Sequence, residues 1–90
     1  MFVNNLKIVF FGTPAFALPS LEALIKNGYA PLMVVTNPDE PAGRKQIITP
    51  PPVKVYAERH DIPVLQPIHL LHEMDKIPKA DVYIVVAFGT

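Results

Sequence analysis

The ninety-residue sequence contains no cysteine and no tryptophan. Without cysteine, disulfide frameworks, zinc–thiolate centres and cysteine nucleophiles are excluded, and a reducing compartment is compatible. The one serine, Ser20, falls inside a helical pattern rather than at an exposed turn, so serine-based acyl transfer has no candidate. Excess charge is absent as well: eight Lys and Arg offset eight Asp and Glu. A chain without net charge lacks the general attraction of a self-contained nucleic-acid or membrane-surface module, so any polyanion has to be met locally. Long apolar stretches are missing too. The run from Val82 to Phe88 is seven residues, against about 20 for a membrane-spanning helix. The first residues carry no basic cluster ahead of an apolar segment, so no export signal is read there. The expectation is a soluble, cytoplasmic chain.

What is present is a small apolar domain. Hydrophobic residues make up 50% and charged residues 18%, a balance that argues for folding and against disorder. Leu6 to Phe11 reads as a strand covered on both faces and ended by Gly12. Thr13 offers a side-chain oxygen to the first amides of a helix, and Pro14 suits its first position. Leu18, Leu21 and Ile25 give the apolar stripe, Pro19 predicts a bent or late start, and Asn27-Gly28 supplies a left-handed stop. Leu32 to Thr36 is a second buried strand. From Asn37 to Pro52, Pro38, Pro41, Gly43 and Pro50 to Pro52 predict a long loop without internal structure, a length that in compact domains is usually functional or disordered, which makes it a candidate site. Val53 to Asp61 is a second helix with Val53 and Ala57 facing inward, Ile62 to Leu65 a short third strand, and His69 to Lys76 a short helix. Val82 to Phe88 is a fourth strand, expected to be buried on both faces. Alternating strands and helices predict an α/β fold: a Rossmann-like parallel sheet with helices on both faces, incomplete at about four strands and three helices. In such sheets ligands bind beyond the carboxyl ends of the strands, which puts Gly12 to Ala15, Asn37 onward and Phe88 to Thr90 on one working rim.

Motif by motif, that rim is spare. Gly12-Thr13-Pro14 lacks the Gly-x-Gly-x-x-Gly spacing of a dinucleotide site, and no Gly-Lys-Ser/Thr occurs. Arg44 and Lys45, on the proline-rich loop, could grip phosphate or stand as solvated charges, with Asp39 and Glu40 nearly cancelling them. His69 and His72 have helical spacing but no suitable third ligand beyond Glu73 and Asp75, so no metal is assigned.

Three stretches together carry more. Ile8-Val9-Phe10-Phe11-Gly12-Thr13-Pro14-Ala15-Phe16-Ala17, Thr36-Asn37-Pro38-Asp39-Glu40-Pro41-Ala42-Gly43-Arg44 and Ala80-Asp81-Val82-Tyr83-Ile84-Val85-Val86-Ala87-Phe88-Gly89 resemble the amino-terminal region of the methionyl-tRNA formyltransferase family. Pro52-Val53-Lys54 and Pro63-Val64-Leu65-Gln66-Pro67 fall where that family has similar segments, so the likeness covers nearly the whole chain. The resemblance implies that residues 1–90 are an amino-terminal fragment of a formyltransferase catalytic domain, with no second domain. The family moves a formyl group from 10-formyltetrahydrofolate to the amine of initiator methionyl-tRNA, in translation initiation.

Carried over residue by residue, the resemblance puts Arg44 at a family arginine that contacts the tRNA acceptor arm, with Lys45 beside it. Lys45 itself departs from the family, which has glycine there followed by lysines. The 37–52 loop becomes the tRNA-facing segment. Phe88 and Gly89 become the edge of the pterin site for 10-formyltetrahydrofolate. The family's catalytic asparagine, histidine and aspartate come after the fourth strand, so no catalytic residue is expected in this chain, and the fragment alone should be inactive. The fourth strand is then an open apolar edge suited to self-association. Two other readings stay open: a fragment of another formyl-folate enzyme, either a sugar-nucleotide N-formyltransferase or a formyl-folate hydrolase, and a non-catalytic binding module.

Overall fold

The computed structural model of the chain describes residues 6–13 and 15–86. Four parallel strands form the main sheet: β1 (Ile8–Gly12), β2 (Met33–Val35), β5 (Val64–Leu65) and β6 (Val82–Val86), in the order β5-β2-β1-β6. This is the incomplete Rossmann-like arrangement read from the sequence, with the last strand beside the first. Phe10 stands opposite Val34 on one side and Ile84 on the other. All five residues of β1 are buried, as a central strand covered on both faces requires.

Helices α1 (Leu18–Lys26) and α2 (Pro52–Arg59) cover one face, where Leu21, Val53 and Ala57 meet Phe10 and Val34 in the main core. Each fully buried aliphatic or Phe side chain there contributes about 1.5–3 kcal/mol relative to exposure. The opposite face carries Val9, Phe11 and Val35 under the short helix α3 (Leu70–Glu73) and the segment leading to Ala80.

Local chemistry explains the helix ends. Asn27 Nδ2 donates to the Ala23 carbonyl at 2.7 Å, and Gly28 takes φ +83°. The Gly28 N–H then reaches the Ile25 carbonyl and the Tyr29 N–H reaches that of Leu24, closing the reverse turn that satisfies the last carbonyls. The start of α1 is late, as Pro19 leads one to expect, but the cap expected from Thr13 is not found. A 3-10 turn at Ala15–Ala17 precedes it, the helix begins at Leu18, and no side chain caps it. Pro19 is thus accommodated in the first turn, where its missing N–H costs nothing. Pro14, expected at the first helical position, lies outside the described residues.

Three further expectations need correction. Residues 37–52 are not structureless: β3 (Glu40–Ala42) and β4 (Ile47–Thr49) pair antiparallel as a hairpin. Gly43 and Gln46, at φ +77° and +53°, make its turn, and Pro41 is tolerated because a two-stranded ribbon leaves one edge of each strand unpaired. The third strand of the main sheet pairs only over Val64–Leu65, Pro63 lying just outside. β6 is not buried on both faces, since Tyr83 is 49% and Val85 63% exposed.

Candidate functional site

The carboxyl ends of β1, β2 and β5 form one rim, as the parallel topology demands. Gly12 closes β1 in a tight place. A Cβ there would lie 2.8 Å from the Phe10 ring, 3.0 Å from the Ala17 Cβ and 3.2 Å from the Val86 carbonyl oxygen. Next along the chain, Thr13 does not cap the helix, because its hydroxyl has a better use. Its Oγ1 accepts the Asn37 N–H at 3.0 Å and the hydroxyl of fully buried Thr36 at 3.2 Å. That pair of bonds ties the exit of β2 to the exit of β1.

Beyond Thr36 the chain is held by a polar cluster. Lys54 Nζ lies 3.1 and 3.3 Å from the two oxygens of Asp39. Gln66 Nε2 donates to Asp39 Oδ1 at 2.7 Å and to the Asn37 carbonyl at 3.0 Å. These donors hold the Asp39 carboxyl below its ordinary range, the Gln66 hydrogen bond acting first and Lys54 second. The cluster joins the approach to β3, the first turn of α2 and the end of β5. It escaped the sequence reading because three common surface residue types 12 to 27 positions apart give no local signal; the only hint was that Lys54 and Gln66 sit in the two additional family-like segments.

Beside the cluster, a cleft of about 240 Å³ opens between the end of β1 and the root of the hairpin, lined by Thr13, Ala15, Pro38, Pro41, Thr49 and Pro51 among others. The hairpin itself stands out from the rim. Every residue from Glu40 to Thr49 is exposed, and Ile47 and Ile48 present about 60% of their surface to solvent.

Arg44 and Lys45 occupy the hairpin turn, exposed and without an ion pair among the described residues. The expectation that Asp39 and Glu40 nearly cancel them is corrected for Asp39, whose charge is committed to Lys54 at the root. The tip is therefore locally more cationic than composition indicates. Phe88 and Gly89, expected at the edge of a pterin site, lie outside the described residues. His69 and His72 sit side by side with ring centroids 5.8 Å apart. Glu73, next to His72 in the chain, spends its oxygens on the N–H of His69, on Lys76 and on the N–H of Ile68, which keeps its carboxyl below the usual range. No group of three metal-ligating side chains occurs among the described residues, and no helix there is long and apolar enough to cross a membrane.

No protein-family model matches the chain. Individual relatives do. It is 54% identical over 87 residues to the methionyl-tRNA formyltransferase of Bacillus velezensis, a match covering 92% of this chain and 27% of the relative. Against the enzyme of the same name from Bacillus subtilis the identity is 52% over 87 residues, with the same coverage of each. Against that of Bacillus thuringiensis subsp. konkukian it is 51% over 89 residues, covering 93% of this chain and 28% of the relative. The chain thus spans little more than a quarter of the length of the curated relatives it matches, and it corresponds to their amino-terminal part.

Proposed function

We propose that the chain is the amino-terminal part of the catalytic domain of a methionyl-tRNA formyltransferase, an enzyme of cytoplasmic translation initiation that takes its formyl group from 10-formyltetrahydrofolate. The observation that carries this reading is identity of about half the residues to enzymes of that name across more than nine-tenths of the chain. The fold supports it, since the parallel sheet presents a rim with a protruding, cation-tipped hairpin beside a cleft.

In this reading the sheet rim is the shelf and the hairpin is the arm. Arg44 and Lys45 meet phosphates of the acceptor arm of initiator methionyl-tRNA, the guanidinium gripping two oxygens and the ammonium acting as a point charge. Phe88 and Gly89 supply the edge of the pterin pocket. The methionine amine attacks the formyl carbon of the donor, forming a carbon–nitrogen bond and a tetrahedral oxyanion. Collapse of that intermediate breaks the bond to the folate nitrogen, which leaves with a proton, while the amine loses one. Such a step needs placed donors for the oxyanion and a base for the amine. Those groups, an asparagine, a histidine and an aspartate, belong to the parent protein and not to residues 1–90. The outer edge of β6 is also read as a self-association surface of the isolated chain.

Binding of a fluorescent acceptor-stem RNA to the ninety-residue chain, titrated at several salt concentrations, tests the tRNA reading. Arg44→Ala and Lys45→Ala are each expected to lower the salt slope by about one while leaving the fold intact. Unchanged slopes in both variants would remove the hairpin from the tRNA interface. Formyl transfer by the chain alone should be undetectable, and turnover near that of a full-length relative would overturn the placement of the catalytic groups.

A further inference from the structure

The hairpin has no core of its own. All its residues are exposed, so nothing inside it fixes the direction in which it leaves the sheet. Direction has to be set at the two roots, Thr36 to Asp39 on the way out and Pro50 to Pro52 on the way back. Prolines stiffen the returning root, which runs straight into α2 with Pro51 as its cap and Pro52 in the first turn. Lys54 then stands three positions inside that helix. A cation in a first turn opposes the helix dipole, and this turn carries no acid of its own to offset it. The placement costs local helix stability and makes sense through its partner: Lys54 spans the base of the hairpin to both oxygens of Asp39.

We infer that Lys54, Asp39 and Gln66 are positioning residues that clamp the base of the hairpin and aim its Arg44-Lys45 tip. Gln66 makes the clamp a fixture of the sheet, since it comes from the end of β5 and binds both Asp39 and the Asn37 carbonyl. With Lys54 20% and Asp39 31% exposed, the pair is shielded enough to outlast a fully solvated one, whose worth is small. The clamp's purpose rests on the tRNA reading above; its existence does not.

A chain without cysteine can be labelled cleanly. Spin labels at Ser20→Cys on α1 and Ile48→Cys on β4, both exposed, report the hairpin's direction by their distance distribution. The wild-type background should give one narrow distance. Lys54→Met and Gln66→Leu should replace it with a broad one, and Lys54→Arg should restore it, while the urea midpoint of the sheet changes little. In parallel, Lys54→Met should weaken acceptor-stem RNA binding about tenfold through misplacement of the tip and leave the salt slope unchanged, because both tip cations remain. An unaltered distance distribution in Lys54→Met and Gln66→Leu overturns the clamp. So does loss of the cooperative unfolding transition in both variants, which would assign the contacts to the sheet itself. A clamp seen by distance in a chain that binds no RNA would leave the clamp standing and refute the tRNA reading alone.

Discussion

Asp39 shows how one side chain can be misjudged from its neighbours in sequence. Beside Glu40 and four positions before Gly43-Arg44, it looks like a local counter-charge for the hairpin tip, yet its carboxylate is held by Gln66 and Lys54 at the root. Its acidity follows from that setting. The folded chain holds this carboxyl below its ordinary value of 3.8, so around and below that value the unfolded chain binds more protons than the folded one, and stability rises with pH there. The contribution is complete above the unfolded value and disappears as pH falls through the lower folded value. Glu73 is depressed in the same sense. Urea midpoints measured from pH 6 down to pH 2 should therefore fall in the wild-type chain, less steeply in Asp39→Asn, and least in Asp39→Asn combined with Glu73→Gln. Parallel curves for all three would show that neither carboxylate is better held in the folded chain than in the unfolded one.

At the scale of elements, the crowding at Gly12 makes a sharp prediction. The added methyl of Gly12→Ala would press on the ring of fully buried Phe10, on Ala17 in the turn and on the backbone of β6 at once. None of the three can retreat freely, so the substitution is expected to lower stability by about 1–3 kcal/mol, read as a drop in urea midpoint at constant slope. A change under about 0.5 kcal/mol would mean that the 3-10 turn can move away. The sequence made β1, β2 and the Asn27-Gly28 stop legible because each is written in adjacent residues: an apolar run needing cover, or a dipeptide suited to a left-handed turn. Non-local competition is what hid the rest. Thr13 reads as a cap until Asn37 and Thr36, more than twenty positions away, claim its oxygen. Proline density reads as a loop until a ribbon with free edges accommodates it. The clamp, drawn from a connector, a helix and the end of a strand, is invisible for the same reason, although Lys54 and Gln66 both lie in family-like segments.

For the molecule as a whole, β6 is where sequence and structure pull apart most. Its composition calls for cover on both faces, but Tyr83 and Val85 are open on one, and apolar grooves of about 450 and 320 Å³ flank the strand on its two sides. On its outer side no strand pairs with it among the described residues. Its beginning is nonetheless well fixed: Asp81 and Val82 both donate to the Lys7 carbonyl, the Lys7 N–H returns to the Asp81 carboxylate, and the Tyr83 hydroxyl bonds to Ala80 and Pro78. A rigid strand with an unpaired apolar edge is a template for another strand. The isolated ninety-residue chain is therefore expected to self-associate as its concentration rises, by edge pairing or by exchange of β6. Sedimentation velocity across a hundredfold concentration range should show dimers or larger species, and Val85→Lys, a charge on the open face, should shift the population to monomer without altering the sheet's circular dichroism. A monomer at every concentration in the unsubstituted chain would show that backbone pairing along β6 is too weak to overcome the entropy of association. The exposed side chains would then be an ordinary apolar surface of a chain at neutral net charge.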